Sequence, residues 1–440
     1  MKGQDASWIA AAAGGRLVAG DPGDASTGRA VIDTRAVQPG DLFVGLRGER
    51  ADGGEFAADA LAAGAWGVLV GPEHADRAAT AQQGVVIAAD DPLAALQALA
   101  RAWRGELAAR VIGVTGSTGK TSTKDILSAL LRPHVRTHAN QQNLNTEIGL
   151  PLTILEAPRD TEAMVLEMAM RGEGQIAELT AIAEPDVGVI VNVGPVHLEL
   201  LGTVDRVAAA KAELIRDLAP GAACVVPAAE PLLDAHLRAD LQTTTFGPGG
   251  DVSLLSFDAG RAEIEANQEI LELELAYAEP HNLLNTLAAV GAALAAGVRP
   301  SGRVEPEFSS MRGEVMEIAG GVTVVNDCYN ANPMSMRAAL KHLAETPADR
   351  RVALLGTMAE LGEGSAEFHR EIGLEAGELG IDVLITVGDA ALPYADRFDG
   401  ESYATGEPEE AGALLSEIAL PGDRVLIKGS RSVGLERVLA

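Results

Sequence analysis

Cysteine, aromatic residues and positive charge are all scarce in this 440-residue sequence. The two cysteines, Cys224 and Cys328, are too few for a disulfide framework or a zinc cluster, so we expect a reducing compartment, the cytoplasm. Aromatic residues make up 3%, so the core must consist of Ala, Val, Leu and Ile. With 34 basic and 63 acidic residues, the formal net charge is −29, which argues against binding to nucleic acid.

Long apolar segments are also missing. The longest, LAAVGAALAAGV from Leu287, is much shorter than a membrane span. The apolar run in MKGQDASWIAAAAGG is too short for the apolar region of a signal peptide. We therefore expect no membrane insertion. A chain of this length exceeds one typical core, which predicts two or three domains.

Short apolar strands and helical stretches alternate along three zones of the chain. The sequence predicts domains at residues 1–107, 108–302 and 303–440, with a linker at about 295–306. Strand–helix alternation is typical of mostly parallel sheets covered by helices on both faces. We therefore expect an α/β protein with a small N-terminal domain, a central domain with a mostly parallel sheet of the P-loop ATPase type, and a Rossmann-like C-terminal domain.

The segment GVTGSTGKTSTKDIL, residues 113–127, predicts a phosphate-binding loop. An apolar strand, a glycine-containing turn and a helical pattern follow one another, as such a loop requires. The usual first glycine is replaced by Val114, so the loop has the shorter T-G-x-x-G-K-T form. Its lysine can reach the outer phosphates and its last threonine can bind Mg²⁺. The predicted loop residues are Thr115, Gly116, Ser117, Thr118, Gly119, Lys120 and Thr121.

Three polar side chains occur in unusual contexts. Glu167 lies in the apolar run MVLEMAM, where a carboxylate is costly unless it meets a cation or a donor; a salt bridge to Arg171 is one alternative. His197 follows the strand VIVNVG, and a lone histidine of this kind is more often structural than metal-binding. Lys211 lies in the helical stretch AAAKAELI, where an exposed lysine is the ordinary interpretation.

Four further segments place polar residues near the ends of predicted elements. QQNLNTEIGLP reads as a polar loop before a helix, and EPHNLLNTLAAV puts His281 and Asn282 at a helix N-terminus, where Asn is a common cap. VVNDCYNANPMSM ends a strand with Asp327, Asn330 and Asn332, and Asx turns would explain these residues without any ligand. IKGSRSVGLERV ends a strand with three donors, Lys428, Ser430 and Arg431, that can meet a carboxylate.

Taken together, these segments resemble the Mur ligases of peptidoglycan synthesis over nearly the whole chain. The phosphate loop is shared with all Mur ligases and with folylpolyglutamate synthetase. The NANP and KGSRS segments are more specific to the branch that adds D-alanyl-D-alanine, and the DNPR motif of the diaminopimelate-adding branch is absent. The segments that follow the family's order are DTRAVQPGDLFVGLRGERADG, TGSTGKTSTKDIL, NLNTEIGLPLTIL, EPHNLLNTLAA, NDCYNANPMSMRAAL, LGTMAELGEGSAEFHREIG and KGSRSVGLERV.

The resemblance implies a catalytic centre with two Mg²⁺ ions. Thr121 and Glu167 would bind the ion that bridges the ATP phosphates, and His197 a second ion. Lys211 matches the lysine that the family carries as a carbamate. An imidazole would be an atypical ligand for Mg²⁺, which prefers oxygen.

The resemblance also implies the nucleotide and substrate contacts. His281 and Asn282 would contact adenine, Arg312 the ATP phosphates, and Asp327 and Asn330 the rest of the nucleotide, with Asp327 at the ribose. The substrate residues would be Thr34 and Arg35 for the uridine diphosphate, Asn143, Asn145 and Thr146 for the muramoyl part, and Lys428, Ser430 and Arg431 for a carboxylate. The chain departs from the family pattern at Gly54, Met168-Ala169, Cys328 and Thr357.

The activity implied is ATP-dependent amide formation by a monomer. The carboxylate of a UDP-N-acetylmuramoyl-tripeptide would be joined to D-Ala-D-Ala through an acyl phosphate, with ADP as a product. Three alternatives stay open at this point. They are another Mur-type or folylpolyglutamate-type amino-acid ligase, a P-loop phosphotransferase with a stable phosphorylated product, and a nucleotide-binding scaffold without turnover.

Overall fold

Three β-sheets follow one another along the chain, and helices pack on their faces. The computed structural model describes residues 1–80, 83–141 and 143–439. Most strand pairs in each sheet are parallel, and the predicted three-domain α/β fold is confirmed. Among the described helices, none is both long enough and apolar enough to cross a membrane.

The N-terminal domain has a five-stranded sheet of order β1-β5-β4-β3-β2, in which only β1 is antiparallel to its neighbour. Its last helix begins where the Asp91 carboxylate caps the N–H groups of Leu93 and Ala94. The helix also reaches the next domain, because the buried Trp103 indole donates to the carbonyl of Ala157. The elements are α1 (Ala6–Ala12), β1 (Arg16–Ala19), β2 (Ala30–Val31), β3 (Leu42–Val44), α2 (Ala57–Ala62), β4 (Gly67–Val70), α3 (Pro72–Ala79), β5 (Val85–Ala88) and α4 (Pro92–Glu106).

The central domain has a ten-stranded sheet of order β15-β14-β13-β12-β11-β10-β9-β6-β8-β7. Strands β6 to β12 pair in parallel, and β6 lies between β8 and β9. The elements are β6 (Arg110–Thr115), α5 (Lys120–Leu131), β7 (Thr137–Ala139), α6 (Gly149–Glu156), β8 (Ala163–Glu167), α7 (Gln175–Ala183), β9 (Val187–Ile190), α8 (Leu198–Leu201), α9 (Val204–Asp217), β10 (Ala223–Pro227), β11 (Gln242–Phe246), β12 (Val252–Asp258), β13 (Arg261–Ala266), β14 (Glu269–Leu275), α10 (Pro280–Ala295) and β15 (Gly302–Val304).

An antiparallel extension of this sheet was not among the sequence predictions. Strands β12, β13 and β14 form two successive hairpins. Residues alternate between buried and exposed along β13, which is the pattern of a sheet with one face in solvent. The predicted boundary between residues 302 and 303 falls inside β15, which pairs with β14 and so continues the central sheet.

The C-terminal domain has a six-stranded sheet of order β16-β17-β21-β18-β19-β20, in which only β16 is antiparallel. The N-terminus of its first helix is fixed by a capping box, in which Asn332 and Ser335 each bond the other's backbone N–H. The elements are β16 (Glu314–Ile318), β17 (Val322–Asp327), α11 (Pro333–Glu345), β18 (Arg350–Gly356), α12 (Ser365–Glu378), β19 (Val383–Val387), β20 (Glu401–Thr405), α13 (Pro408–Ile418) and β21 (Asp423–Lys428).

Parallel pairing places several predicted functional residues at one edge of the central sheet. Strands β8, β6 and β9 are adjacent and run in the same direction. Glu167 ends β8, the phosphate loop follows β6, and His197 lies beyond β9. The carboxyl ends of parallel strands are where open α/β sheets bind ligands, so this edge is the candidate site.

Candidate active site

The phosphate loop connects β6 to α5 in a tight turn. Gly119 has φ +75°, and a Cβ atom there would lie 2.6 Å from Oδ1 of Asn285 on α10. A residue with a side chain would be both strained and obstructed at this position. Lys120, the first residue of α5, folds back over the loop and donates to the Gly116 carbonyl over 2.8 Å.

Asn192 holds the loop in this shape. Its Oδ1 accepts the N–H groups of Ser117 and Thr118, at 3.1 and 2.9 Å, and its Nδ2 donates to the Thr118 carbonyl. The hydroxyl of Ser117 bonds to the backbone of Gly194 in the same segment. Sequence reasoning missed Asn192, although a lone amide in the apolar run VIVNVG was a visible signal.

Glu167 is buried, with 3% of its surface exposed, and is satisfied by neutral donors. One carboxylate oxygen accepts from the hydroxyl of Thr121 at 2.8 Å, and the other from the side-chain amide of Asn145 at 2.9 Å. The alternative pairing with Arg171 is wrong, because that guanidinium lies against Glu360. A carboxylate and a hydroxyl beside a phosphate loop form a donor set that suits Mg²⁺, which uses few protein ligands together with phosphate oxygens and water.

The side chain of Asn140 binds the backbone of Glu167. This residue, too, was not predicted from the sequence. Its side chain accepts the Glu167 N–H at 2.9 Å and donates to the Glu167 carbonyl at 3.0 Å. The Asn140 carbonyl in turn accepts from the ammonium of the buried Lys124. The backbone at the metal-binding candidate is therefore fixed on both sides by one amide side chain.

Lys211 lies in the middle of α9 and is 1% exposed, so the interpretation as an exposed helix lysine is wrong. Burial, and secondly the nearby charge of Lys120, hold the pKa of Lys211 well below its usual value. Within the described part of the chain, no carboxylate forms a salt bridge with this ammonium. A buried amine without a counter-ion favours its neutral, nucleophilic form.

Lys120 is influenced by the same surroundings. Burial lowers the pKa of Lys120, the charge of Glu167 raises it, and the charge of Arg312 lowers it again. Arg312 belongs to the segment that leads into the C-terminal domain, so a second domain brings positive charge close to the loop. Its guanidinium stacks on the ring of Tyr329, 4.2 Å from the centroid. Its Nε is buried and has no hydrogen-bond partner among the described residues.

His197 adopts a left-handed backbone conformation, with φ +54°. Its Nδ1 lies 2.5 Å from a carboxylate oxygen of Glu360, which follows β18 in the C-terminal domain. The N–H of Glu199 also donates to the Glu360 carbonyl, at 3.1 Å. The pKa of Glu360 is lowered, chiefly by the hydrogen bond with His197. The other ring nitrogen of His197 has no partner among the described residues.

The N-terminus of α10 faces the C-terminal domain. Asn282 lies in the first turn, not at the cap, which is Glu279. It accepts from the Nδ2 of Asn285, the residue beside Gly119. Burial lowers the pKa of His281, while the charges of Glu279 and Asp327 raise it. Asp327 lies across the domain boundary, so charged groups from both domains lie close to His281.

Asp327 and Lys428, predicted as separate ligand contacts, are paired with each other. They are direct neighbours in the register of β17 and β21. The ammonium lies 2.7 Å from the Asp327 carboxylate and 2.9 Å from the Asn330 carbonyl. Ser430 is buried and accepts the N–H of Ala359, whereas Arg431 is exposed and pairs with Glu436. Of the three predicted donors, Arg431 is therefore the most accessible.

The other predicted substrate residues lie between the named helices and strands. Thr34 and Arg35 form a single helical turn capped by Asp33, whose carboxylate pairs with the exposed Arg35 guanidinium. Asn143 and Thr146 are exposed and lie on either side of Asn145, whose side-chain amide donates to Glu167.

A second polar cluster lies in the N-terminal domain, formed by Asp52, Glu73 and His74. It already contains a cation, because Arg47 pairs with both carboxylates. The His74 ring lies against Gly54, where a Cβ would be 2.3 Å from Cδ2 of the ring. This contact explains physically why position 54, one of the departures from the family pattern, carries no side chain.

Three family models match the chain in succession. They are the Mur ligase family, catalytic domain, over residues 30–104, the Mur ligase middle domain over 114–293, and the Mur ligase, glutamate ligase domain over 311–431. The chain belongs to the Mur ligase family.

Relatives of this Mur ligase match it over most of their length. The UDP-N-acetylmuramoyl-tripeptide–D-alanyl-D-alanine ligase of Bacillus subtilis (strain 168) is 36% identical, over 92% of this chain and 91% of its own. The crystal structure of MurF from Acinetobacter baumannii covers 100% of this chain and 98% of its own, with a TM-score of 0.89 and 28% identity. The MurF ligase of Thermotoga maritima in complex with ADP has a TM-score of 0.80 and 34% identity, and the match covers 93% and 96%.

Proposed function

We propose that this Mur ligase joins the carboxylate of a UDP-N-acetylmuramoyl-tripeptide to the amine of D-alanyl-D-alanine, with conversion of ATP to ADP and phosphate. The observation that carries the proposal is the grouping of Lys120, Thr121 and Glu167 on one sheet edge, with Arg312 of another domain beside them. Relatives that cover almost the whole chain bear the name of this activity, and one of their structures contains ADP.

The reaction requires activation, because an amine cannot displace oxide from a carboxylate. A carboxylate oxygen attacks the γ-phosphorus, and the bond from that phosphorus to ADP breaks. The amine then attacks the acyl carbon, and the bond from carbon to the phosphate oxygen breaks as the amine loses a proton. One carboxylate oxygen therefore leaves in the phosphate, and the products are amide, ADP and phosphate.

The chain supplies positive charge where two anions must meet. Lys120 and the N-terminus of α5 would face the phosphates, and Arg312 would add positive charge from the C-terminal domain. Thr121 and Glu167 would hold one Mg²⁺, and His197 a second. Bound Mg²⁺ would offset the charge of the phosphate oxygens and of the leaving group. Asn192 holds the backbone of the loop through the N–H groups of Ser117 and Thr118, and Asn140 and Asn145 orient Glu167.

Lys211 is proposed to carry a carbamate. Its amine is buried and burial lowers its pKa well below the usual value, so the neutral form can add CO₂, and the resulting anion would lie near Lys120. A carbamate offers two oxygens in a place where no described carboxylate pairs with the lysine. The lysine would then change from a buried neutral amine into a metal ligand.

We propose that the three domains divide the substrates between them. Thr34 and Arg35 of the N-terminal domain would contact the uridine diphosphate, and Asn143, Asn145 and Thr146 the muramoyl part. His281, Asn282, Asp327 and Asn330 would contact the nucleoside, and Ser430 and Arg431 the dipeptide carboxylate. Lys428 would act through Asp327, since its ammonium is already engaged. The domain limits at 107 and 302, the cytoplasmic location and the monomeric state stay predictions.

The decisive assay measures ADP formation with UDP-N-acetylmuramoyl-tripeptide, with and without D-Ala-D-Ala, and identifies the product by mass. A panel of single amino acids replaces the dipeptide in parallel reactions. We expect ADP and amide in equal amounts, and only with D-Ala-D-Ala. Amide formed with a different amine would indicate another Mur-type ligase, and a phosphorylated product without any amine would indicate a phosphotransferase. Binding of ATP without turnover would indicate a scaffold.

A further inference from the structure

The contact between His197 and Glu360 joins two domains beside the candidate site. The imidazole Nδ1 and the carboxylate Oε2 are 2.5 Å apart, and 21% and 34% of the two side chains are exposed. A backbone hydrogen bond from Glu199 to the carbonyl of Glu360 runs beside it. The C-terminal domain therefore contacts the His197 ring directly.

Both residues occupy backbone conformations that favour glycine. His197 has φ +54° and Glu360 has φ +61°. A left-handed conformation is unfavourable for a residue that carries a Cβ atom. Strained positions of this kind cluster at functional sites, where the surrounding structure holds them in place. Both partners of the contact therefore have a backbone conformation that is typical of residues at functional sites.

A carboxylate on Nδ1 determines what the rest of the ring can do. It favours the tautomer with the proton on Nδ1, which leaves a lone pair on Nε2. Histidines that bind metals usually donate their other N–H to a carboxylate or carbonyl, which orients the ring and raises its basicity. The second oxygen of Glu360 lies 3.3 Å from Nε of Arg171, which fixes the carboxylate from the central domain.

We propose that Glu360 is a positioning residue for the cation at His197. The docked C-terminal domain orients the imidazole through Glu360, so cation affinity at His197 and domain docking are coupled. The inference rests on the proposed function in one respect, the assignment of His197 as a metal ligand. Coupling of this type is reciprocal, so the cation must favour the docked arrangement as much as docking favours the cation.

The first test is a Mn²⁺ titration of the full chain with ADP bound, followed by electron paramagnetic resonance. The variants are His197→Ala, Glu360→Ala and Glu360→Gln. The matched control is Glu363→Gln, which removes the same charge from an exposed glutamate on the same loop. We expect His197→Ala to lose one class of Mn²⁺ site. Glu360→Ala should weaken that class about 10–100-fold, the effect typical of such outer partners.

The remaining variants separate positioning from folding. Glu360→Gln keeps the shape and an oxygen that accepts from Nδ1–H, so it should weaken the site less than Glu360→Ala does. Glu363→Gln should bind Mn²⁺ like the wild type. ADP affinity measured without Mn²⁺ should be equal in all variants. The inference is overturned if Glu360→Ala binds Mn²⁺ like the wild type, or if His197→Ala retains both classes.

The second test follows domain docking by X-ray scattering during the same titration. The wild type should become more compact as Mn²⁺ fills the His197 site, and Glu360→Ala should need a correspondingly higher concentration. A wild-type profile that does not respond to Mn²⁺ would refute the coupling. Neither measurement depends on turnover, so failure of the ligase proposal, seen as absence of amide product, is recognised separately.

Discussion

The Asp125 carboxylate on α5 accepts both the backbone N–H and the hydroxyl of Ser309, at 3.1 and 3.2 Å. Its other oxygen lies 2.9 Å from the ammonium of the buried Lys124. Ser309 is three residues before Arg312, so the helix that begins at the phosphate loop is bonded to the segment that carries the incoming arginine. This contact links the position of Arg312 to the helix that begins at the phosphate loop.

Replacing Asp125 should therefore lower kcat/KM for ATP, although Asp125 itself is not proposed to contact the phosphates. For Asp125→Asn we expect kcat/KM for ATP to fall about tenfold or more, since hydrogen bonds to charged groups contribute about 1.5–3 kcal/mol. Ser309→Ala, which keeps the backbone bond, should show a smaller loss. Steady-state kinetics with Ser310→Ala as the neighbouring exposed control checks this. Asp125→Asn with wild-type kcat/KM would contradict the link.

Lys120→Ala should remove the main fixed charge on the phosphate loop. We expect kcat to fall by at least about 10²–10³, the usual cost of losing one electrostatic contact to the transition state. The control is Lys341→Ala, which removes an exposed lysine that pairs, among the described residues, only with Glu345 on its own helix. Turnover of Lys120→Ala near the wild-type rate would rule out the proposed role of the loop.

Asn192→Ala tests the residue that shapes the loop but that sequence reasoning missed. The amide makes three hydrogen bonds to the loop backbone, so its loss should free the N–H groups of Ser117 and Thr118. We expect ADP to bind about tenfold or more weakly, since typical hydrogen bonds contribute about 0.5–1.5 kcal/mol each. Calorimetric titration with ADP measures the change. Unaltered ADP affinity would show that the loop keeps its shape without Asn192.

Lys211→Met should stabilise the fold while it abolishes activity. Burial keeps the pKa of Lys211 well below its ordinary value, so near neutral pH the unfolded chain takes up a proton more readily than the folded one. The lysine therefore costs stability below its unfolded pKa of about 10.4, and the cost disappears as the pH rises above that value. Methionine removes the cost and fills a similar volume.

Thermal unfolding in CO₂-free buffer checks this, with the exposed Lys341→Met as control. The Lys211→Met variant should melt at a higher temperature than the wild type at pH 7, and the difference should shrink as the pH approaches 10. A lower melting temperature at pH 7 would mean that the lysine is stabilised by a contact absent from this account.

Individual strands and helices were predictable because the sequence patterns that specify them extend over only a few neighbouring residues. The strand at 110–115 was predicted as observed, and the following helix begins two residues before the predicted Ser122. Apolar runs and glycine turns encode such elements within about ten residues. The hairpins of β12 to β14 were missed, although the alternating EIEANQEILELEL carries the period of two that typifies a half-exposed strand.

Contacts across long separations were not predictable from one sequence. Asp327 and Lys428 are 101 residues apart, and only the register of β17 and β21 makes them a pair. His197 and Glu360 come from different domains, and Glu360 was not among the predicted site residues, although its segment LGTMAELGEGSAEFHREIG resembles the family. Asn140 was overlooked because amides in polar loops are common and its partner is the backbone of Glu167.

The central claim is that the phosphate loop serves to activate a carboxylate, and ¹⁸O transfer tests it most directly. The acceptor tripeptide is labelled in its reacting carboxylate, and the released phosphate is analysed by mass after reaction with ATP and D-Ala-D-Ala. We predict one ¹⁸O atom in the phosphate for each amide formed, and neither product with Lys120→Ala above about 1% of the wild-type amount. Amide formation with unlabelled phosphate would contradict the account.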